Sequence, residues 1–162
     1  MVQCLTKFTD VIITINDEDF LAMSKMTKRN KHIKVYKVNG VGIDTSLLEA
    51  TNVDNSRIRR SLGFSENDFL IITVGDLNSN KNQEVIIKAL GILGIANIHL
   101  IICGIGKKRT YLEKLCKKYH IEKQVHFLGL RNDIPDLLKI SNLFILASKR
   151  EGLPRSVMEA MA

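Results

Sequence analysis

Short apolar runs alternate along this chain with segments of helical periodicity, and this alternation constrains the fold more than any other feature. Several runs are apolar at consecutive positions, as strands covered on both faces must be. The six runs are residues 11–15, 34–38, 70–74, 98–103, 125–128 and 143–147. Parallel strands joined by crossover helices produce this pattern, so the sequence predicts an α/β fold with a doubly wound, Rossmann-like parallel sheet and helices on both faces.

Amphipathic segments between the runs predict the helices that cover this sheet. Ser79 or Asn80 can cap a helix whose apolar stripe ends at Leu93, and residues 107–120 carry a second apolar stripe. Asp133 opens a further short helix, and Pro154 suits the first turn of a final one.

Composition narrows the class of protein. The chain has 162 residues, 45% of them hydrophobic, and a net charge of +7, which excludes intrinsic disorder. No apolar stretch approaches the roughly 20 residues that span a bilayer, and the first ten lack a secretory signal. The three cysteines show no CxxC spacing, and the four histidines show no zinc-ligand spacing. We expect reduced thiols, no metal cofactor and a cytoplasmic location.

Two features suggest how the chain is divided. A strand at 11–15, a helix from about Asp17 and a strand at 34–38 precede a polar segment, 39–56, which we interpret as a linker. We expect residues 1–38 to be the tail end of an upstream domain and residues 57–162 to form a second domain. The final helix has no C-cap glycine and no closing strand after it, so we expect this domain to be C-terminally truncated.

Glycines follow four of the predicted strands at their carboxyl ends, where open α/β sheets bind their ligands. They are Gly75, Gly104 with Gly106, Gly129 and Gly152. Glycine allows close backbone approach, and helix N-termini attract anions, so one interpretation is a phosphate cradle. The alternative is that the glycines only make tight strand-to-helix turns. The dinucleotide fingerprint is incomplete, and nothing matches a P-loop.

Two carboxylates flank the start of the final predicted helix. Glu151 and Glu159 are separated by seven residues, with Gly152, Leu153 and Pro154 directly after the first. This arrangement suits a molecule with hydroxyls at both ends and a diphosphate in the middle. The alternative is that Glu151 is an acid favoured by the helix dipole and that Glu159 is solvated.

The run 39–162 resembles the C-terminal, nucleotide-sugar-binding domain of glycosyltransferase family 4, which contains retaining enzymes of GT-B architecture. Glu151 and Glu159 match the ends of that family's Glu-x7-Glu motif. The other matching stretches are residues 39–44, Gly75 with Lys81, 104–106, 127–129 and 159–162. Residues 8–16 resemble the end of the family's N-terminal, acceptor-binding domain, notably in members that build bacterial capsular polysaccharides and exopolysaccharides.

The resemblance implies a fragment of a retaining hexosyltransferase that binds a nucleotide sugar, expected to be a UDP-sugar, without a metal. In the full-length enzyme the sugar would pass to a polysaccharide or lipid-linked acceptor; the fragment alone is expected to be inactive. Glu151 would contact donor-sugar hydroxyls, Glu159 the ribose, and Lys81 the diphosphate, with Glu151 and Lys81 as the catalytic residues. The other implied donor-binding residues are Gly75, Gly104, Gly106, Arg131, Gly152, Leu153 and Pro154.

The chain departs from the family pattern at one cation. The family commonly has arginine where this chain has Asp76, so one of two usual positive charges at the diphosphate is absent. Arg150, Lys149 and Arg155 are the candidates to replace it.

Positive charge is concentrated in two stretches, 25–37 and 107–118. Solvated faces are one explanation, and peripheral contact with an anionic membrane at its inner face is a second. Nucleic-acid binding is disfavoured because no aromatic platform interleaves the charges. Two other functions are a non-catalytic nucleotide-sugar-binding module and a signalling receiver domain; the glycine-rich, basic strand ends disfavour the receiver.

Overall fold

The computed structural model of the protein describes residues 8–30, 32–40, 42–45 and 54–162. Strands and helices alternate through these ranges. In chain order they are β1 (Val11–Thr14), α1 (Asp17–Thr27), β2 (Lys34–Lys37), α2 (Asn55–Ser61), β3 (Phe69–Val74), α3 (Gln83–Leu93), β4 (Ile98–Cys103), α4 (Arg109–Tyr119), β5 (Val125–Gly129), α5 (Ile134–Ile140), β6 (Leu143–Phe144) and α6 (Arg155–Met161).

The described residues form two compact units. The first contains those of Met1–Ile43 together with Gly152–Arg155, and the second contains those of Asp44–Glu151 and Ser156–Ala162. In the first unit β1 and β2 pair in parallel, with α1 between them in sequence. Asn16 caps α1 by accepting a hydrogen bond from the Asp19 amide at 2.7 Å, and three acidic residues in the first turn suit the helix dipole.

The second unit is a parallel sheet with the strand order β5-β4-β3-β6. Its central strand β4 alternates between two apolar clusters, because successive side chains of a strand point to opposite faces. Leu100 and Ile102 pack in the cluster that includes residues of α3 and α4, whereas Ile101 packs in the one that includes Leu137 of α5. The prediction of a parallel α/β sheet with helices on both faces is therefore confirmed.

Three boundaries differ from the sequence-based expectation. β6 ends at Phe144, although its apolar run continues to residue 147, because after Ile145 the backbone bonds to the loop before α3 rather than to β3. α3 begins after Asn82, which has φ +55 and makes no side-chain cap, so neither Ser79 nor Asn80 caps it. Of the expected linker 39–56, residues 46–53 lie outside the described ranges, and Asn55 already begins α2.

None of the helices in the described part of the chain has the length and apolar character needed to cross a bilayer.

Candidate functional site

The carboxyl ends of β3, β4 and β5 approach one another closely, and glycine makes this approach feasible. The amide of Gly75 donates to the Cys103 carbonyl at 2.9 Å, and that of Gly104 donates to the Gly129 carbonyl at 2.7 Å. Gly104 has φ +146, and a Cβ on it would lie 2.1 Å from the Gly75 carbonyl oxygen. Glycine at position 104 is thus required by backbone packing alone, whatever this edge of the sheet binds.

Gly106 has a similar environment one loop further on. A Cβ there would lie 2.5 Å from the Leu77 carbonyl oxygen, and the Leu77 amide donates to the Ile105 carbonyl at 2.9 Å. The loop after β3 and the loop after β4 therefore run in backbone contact. Three of the glycines proposed for donor binding, at positions 75, 104 and 106, lie in these two loops.

Lys81 and Glu151, the two residues predicted to be catalytic, form an ion pair. The Lys81 Nζ lies 2.8 Å from the Glu151 Oε1, and their side chains are only 21% and 24% exposed. The stem of Lys81 lies over Gly75, whose added Cβ would come within 3.2 Å of the Lys81 Cε. Gly75 thus leaves the space that the lysine occupies.

The Glu151 carboxylate is held in its charged form. Burial by itself raises its pKa, but the hydrogen bond from Lys81, the nearby Ser148 hydroxyl and the charge of Lys81 together lower the pKa below its ordinary value of 4.5. Near neutral pH the site therefore contains a carboxylate and an ammonium that neutralise each other. A ligand that has an anionic group at one end and hydroxyls at the other can bind the ammonium through the first and the carboxylate through the second.

Arg131, also predicted to bind the donor, lines a cavity of about 120 Å³ at the ends of β3, β4 and β5, together with Gly75 and Gly104. Its Nε donates to Asp133 Oδ1 at 2.7 Å, and a second guanidinium nitrogen contacts Oδ2. This hydrogen bonding lowers the pKa of Asp133. Burial raises the pKa of the Cys103 thiol in the same cavity to about 12, which makes it a poor nucleophile.

Glu159 lies on α6 and is half-buried, as expected from its apolar neighbours in sequence. It lines a hollow of about 180 Å³ with Pro135, Leu138 and Lys139 of α5. Glu151 is thus located by its pairing with Lys81, and Glu159 by its place beside α5.

Gly152, Leu153 and Pro154 belong to the first compact unit. There the Leu153 side chain lies over Gly40, where an added Cβ would come within 2.0 Å of the leucine Cδ2. Gly40 has φ +92, so its backbone also favours glycine. Pro154 directly precedes α6 rather than lying in its first turn.

Sequence reasoning missed the role of three asparagines next to the ion pair, although Asn80 is among its candidate helix caps. The Asn78 side chain accepts hydrogen bonds from the amides of residues 80 and 81, both at 2.9 Å. The Asn80 side chain donates to the Arg150 carbonyl at 2.9 Å, and that of Asn82 donates to the Ala147 carbonyl at 3.3 Å. The signal in the sequence was the repeat of Asn at alternate positions before and after Lys81, since asparagine side chains often bond to nearby backbone.

The described ranges hold no group of three or more His, Cys, Asp or Glu side chains arranged to bind a metal ion. That a diphosphate binds without a metal stays a prediction.

Comparison with known proteins adds an independent line of evidence. The family described as "Glycosyl transferases group 1" matches residues 54–162. EpsD of Bacillus subtilis is 31% identical over 161 residues, which cover 98% of this chain and 42% of EpsD. The UDP-Gal:alpha-D-GlcNAc-diphosphoundecaprenol alpha-1,3-galactosyltransferase of Escherichia coli is 26% identical, over 96% of this chain and 41% of that protein.

Among solved structures, Anabaena HepE in complex with UDP-glucose matches with a TM-score of 0.82 and 26% identity, over 99% of this chain and 44% of HepE. The chain thus spans less than half the length of each of these proteins. The family match extends from just before α2 to the last residue and includes β3 to β6, Lys81 and Glu151. On this match and on the GT-B-type fold of its structural neighbours, the chain belongs to the group 1 glycosyl transferases.

Proposed function

We propose that this chain provides the nucleotide-sugar donor site of a retaining glycosyltransferase of family 4. The observation that carries the proposal is the Lys81–Glu151 ion pair, which lies at the glycine-bearing carboxyl end of β3 in a chain of this family. Ligands of open α/β sheets bind at such strand ends. HepE, which has a similar fold, binds UDP-glucose. By analogy we propose that the donor bound by this chain is also a UDP-sugar.

Each residue would act on a different part of the donor. Lys81 would leave Glu151 for the diphosphate, where a fixed positive charge stabilises the leaving group without a metal. Glu151 would then accept hydrogen bonds from the hydroxyls of the sugar, and Glu159 from those of the ribose. Arg131 and the glycines at positions 75, 104 and 106 would border the nucleotide.

In the whole protein, the transferred hexose would go to a saccharide or lipid-linked acceptor in the synthesis of a capsular polysaccharide or exopolysaccharide. The Escherichia coli relative, whose name includes a diphosphoundecaprenol acceptor, supports this class. We place the reaction in the cytoplasm, with peripheral contact at the inner face of the membrane through basic stretches such as that of α4. Transfer would need an acceptor-binding domain before residue 39.

Calorimetric titration of the 162-residue chain with UDP and UDP-glucose tests the proposal. Lys81→Ala should weaken the binding of both ligands at least about tenfold, because charge-assisted hydrogen bonds to the diphosphate are lost. Lys88→Ala is the control, since it removes an ion pair with an equally exposed carboxylate, Glu84 on α3, although Lys88 itself is 41% exposed and Lys81 only 21%. Equal effects of the two substitutions, or no binding to the unmodified chain, would refute the proposed site.

The two glutamates can be separated by the same titrations. Glu159→Ala should weaken UDP and UDP-glucose alike, by about 1.5 to 3 kcal/mol, because both ligands contain the ribose. Glu151→Ala should weaken only UDP-glucose, because UDP has no hexose hydroxyls. If Glu151→Ala weakens UDP as much as UDP-glucose, the proposed roles are wrong.

A further inference from the structure

The loop that carries Lys81 is joined to the loop that carries Glu151 by hydrogen bonds adjacent to both residues. Asn80 makes two of them: its side-chain Nδ2 donates to the Arg150 carbonyl at 2.9 Å, and its own carbonyl accepts from the Lys149 amide at 2.8 Å. These partners immediately precede the ion pair in sequence, Asn80 before Lys81 and Arg150 before Glu151. The two contacts therefore fix the backbone directly before each member of the pair.

The Lys81 side of this junction is internally ordered. Asn78 accepts hydrogen bonds from the amides of Asn80 and Lys81, both at 2.9 Å, which folds residues 78–81 into a tight turn. The Asn82 side chain adds a third link, to the Ala147 carbonyl at 3.3 Å. The side-chain amide of Asn80 and the side chain of Lys81 therefore both face the loop after β6.

Energetic magnitudes indicate how much each interaction contributes to holding the two loops together. An ion pair between partly exposed side chains contributes about 0.2 to 1 kcal/mol, because solvent screens it and two flexible side chains must be ordered. Each loop-to-loop hydrogen bond contributes about 0.5 to 1.5 kcal/mol, and three such bonds outweigh the pair. The hydrogen bonds therefore contribute at least as much as the screened ion pair to holding the two loops together.

We propose that Asn80 is a positioning residue of the donor site, whose side-chain amide holds the Lys81 loop against the Glu151 loop. Its side chain is exposed, so it contributes little to the apolar core. Its effect is on the separation of a cation and a carboxylate that must reach two parts of one ligand. The inference rests on the proposed function, which assigns these two groups to the donor.

The test compares Asn80→Ala with a matched control at the opposite end of the sheet. Asn97 makes the same pair of contacts, with its side chain donating to the Asn67 carbonyl at 3.2 Å and its own carbonyl accepting from the Phe69 amide at 2.8 Å. Calorimetry with UDP-glucose should show about three- to tenfold weaker binding for Asn80→Ala and a change within about twofold for Asn97→Ala. A general loss of structure would affect both variants.

A second readout needs no ligand. The carboxyl carbon of Glu151 can be followed by NMR as a function of pH, and Asn80→Ala should move its titration midpoint upwards because Lys81 is held less closely. Asn97→Ala should leave that midpoint in place. An unchanged midpoint in Asn80→Ala overturns the inference.

The failures of the two proposals are distinguishable. If the unmodified chain binds neither UDP nor UDP-glucose, the proposed function fails and the inference fails with it. If the unmodified chain binds UDP-glucose and Asn80→Ala binds it equally well, the inference alone is overturned.

Discussion

Gly104→Ala should be among the most destabilising single-methyl additions in the chain. The new Cβ would lie 2.1 Å from the Gly75 carbonyl oxygen and 2.8 Å from its carbon, both of which are backbone atoms. A side chain could rotate away, but this carbonyl can move only if the end of β3 moves with it. Because Lys81 lies over Gly75, such a movement would also displace the lysine.

Two terms contribute to the magnitude. The backbone of Gly104 has φ +146, in a region occupied almost only by glycine, and holding an L-residue there costs about 1 to 3 kcal/mol. Forcing extra volume into a packed region typically costs about 1 to 3 kcal/mol more. We therefore expect Gly104→Ala to lower the free energy of unfolding by about 2 to 6 kcal/mol.

Gly63→Ala is a comparison without the clash, because Gly63 also has positive φ, at +82, but its added Cβ would meet no atom within 4 Å. It should cost only the backbone term, and the smaller entropy of the unfolded alanine chain is common to both variants. Urea unfolding of the two variants gives the difference between their free energies of unfolding, provided that their m-values are equal. If Gly104→Ala is no more destabilising than Gly63→Ala, the close approach of the two strand ends is wrong.

Three further predictions concern packing, pH and metals. Gly91→Ala should destabilise the protein by about 1 to 3 kcal/mol because the added Cβ would lie 2.6 Å from the Tyr119 ring. The loss, measured by urea unfolding, should shrink but not vanish in a Tyr119→Ala background, which removes the ring and keeps the Cβ of residue 119, 2.7 Å away. Burial and the charge of His99 lower the pKa of His126 from its ordinary 6.5, so the unfolded state binds more protons below that pH. The free energy of unfolding should therefore fall as pH drops from 7 through 6.5, and His126→Gln should flatten this decline in a pH series of unfolding curves. A chelator should leave the calorimetric affinity for UDP unchanged; a reversible loss of affinity would contradict metal-independent binding.

The parallel sheet could be predicted because consecutive apolar residues are a direct consequence of burial on both faces. β4 shows this well: Leu100, Ile101 and Ile102 are completely buried, and neighbours in sequence pack in opposite clusters. The same rule overestimated the length of β6, whose apolar run is longer than the segment that pairs with β3. An apolar run indicates only that its side chains are buried. The length of a strand also depends on whether its backbone groups form hydrogen bonds with the neighbouring strand or with a loop.

The candidate site was only partly predictable for a related reason. Strand ends identified Gly75 and Gly104, and the spacing of Glu151 from Glu159 matched a family motif. Periodicity contains no information on how two loops meet when they lie far apart in sequence, and Lys81 and Glu151 are 70 positions apart. Pairing of these side chains, which had been assigned to separate parts of a ligand, emerged only from tertiary structure.

The strand order also has a consequence for the sequence of folding events. β6 pairs with β3 over just two positions, Ile71 with Leu143 and Ile72 with Phe144, and a segment containing β4 and β5 must be closed as a loop before these contacts form. Contacts between segments distant in sequence form slowly, because the entropy of the intervening chain is lost before the contacts stabilise the structure. We therefore expect β6 to join the sheet after β3 and β4 have paired, so that Lys81 and Glu151 meet late. Pulse-labelling hydrogen exchange should then show protection of the Ile145 amide, which donates to Ile72, after protection of the β4 amides.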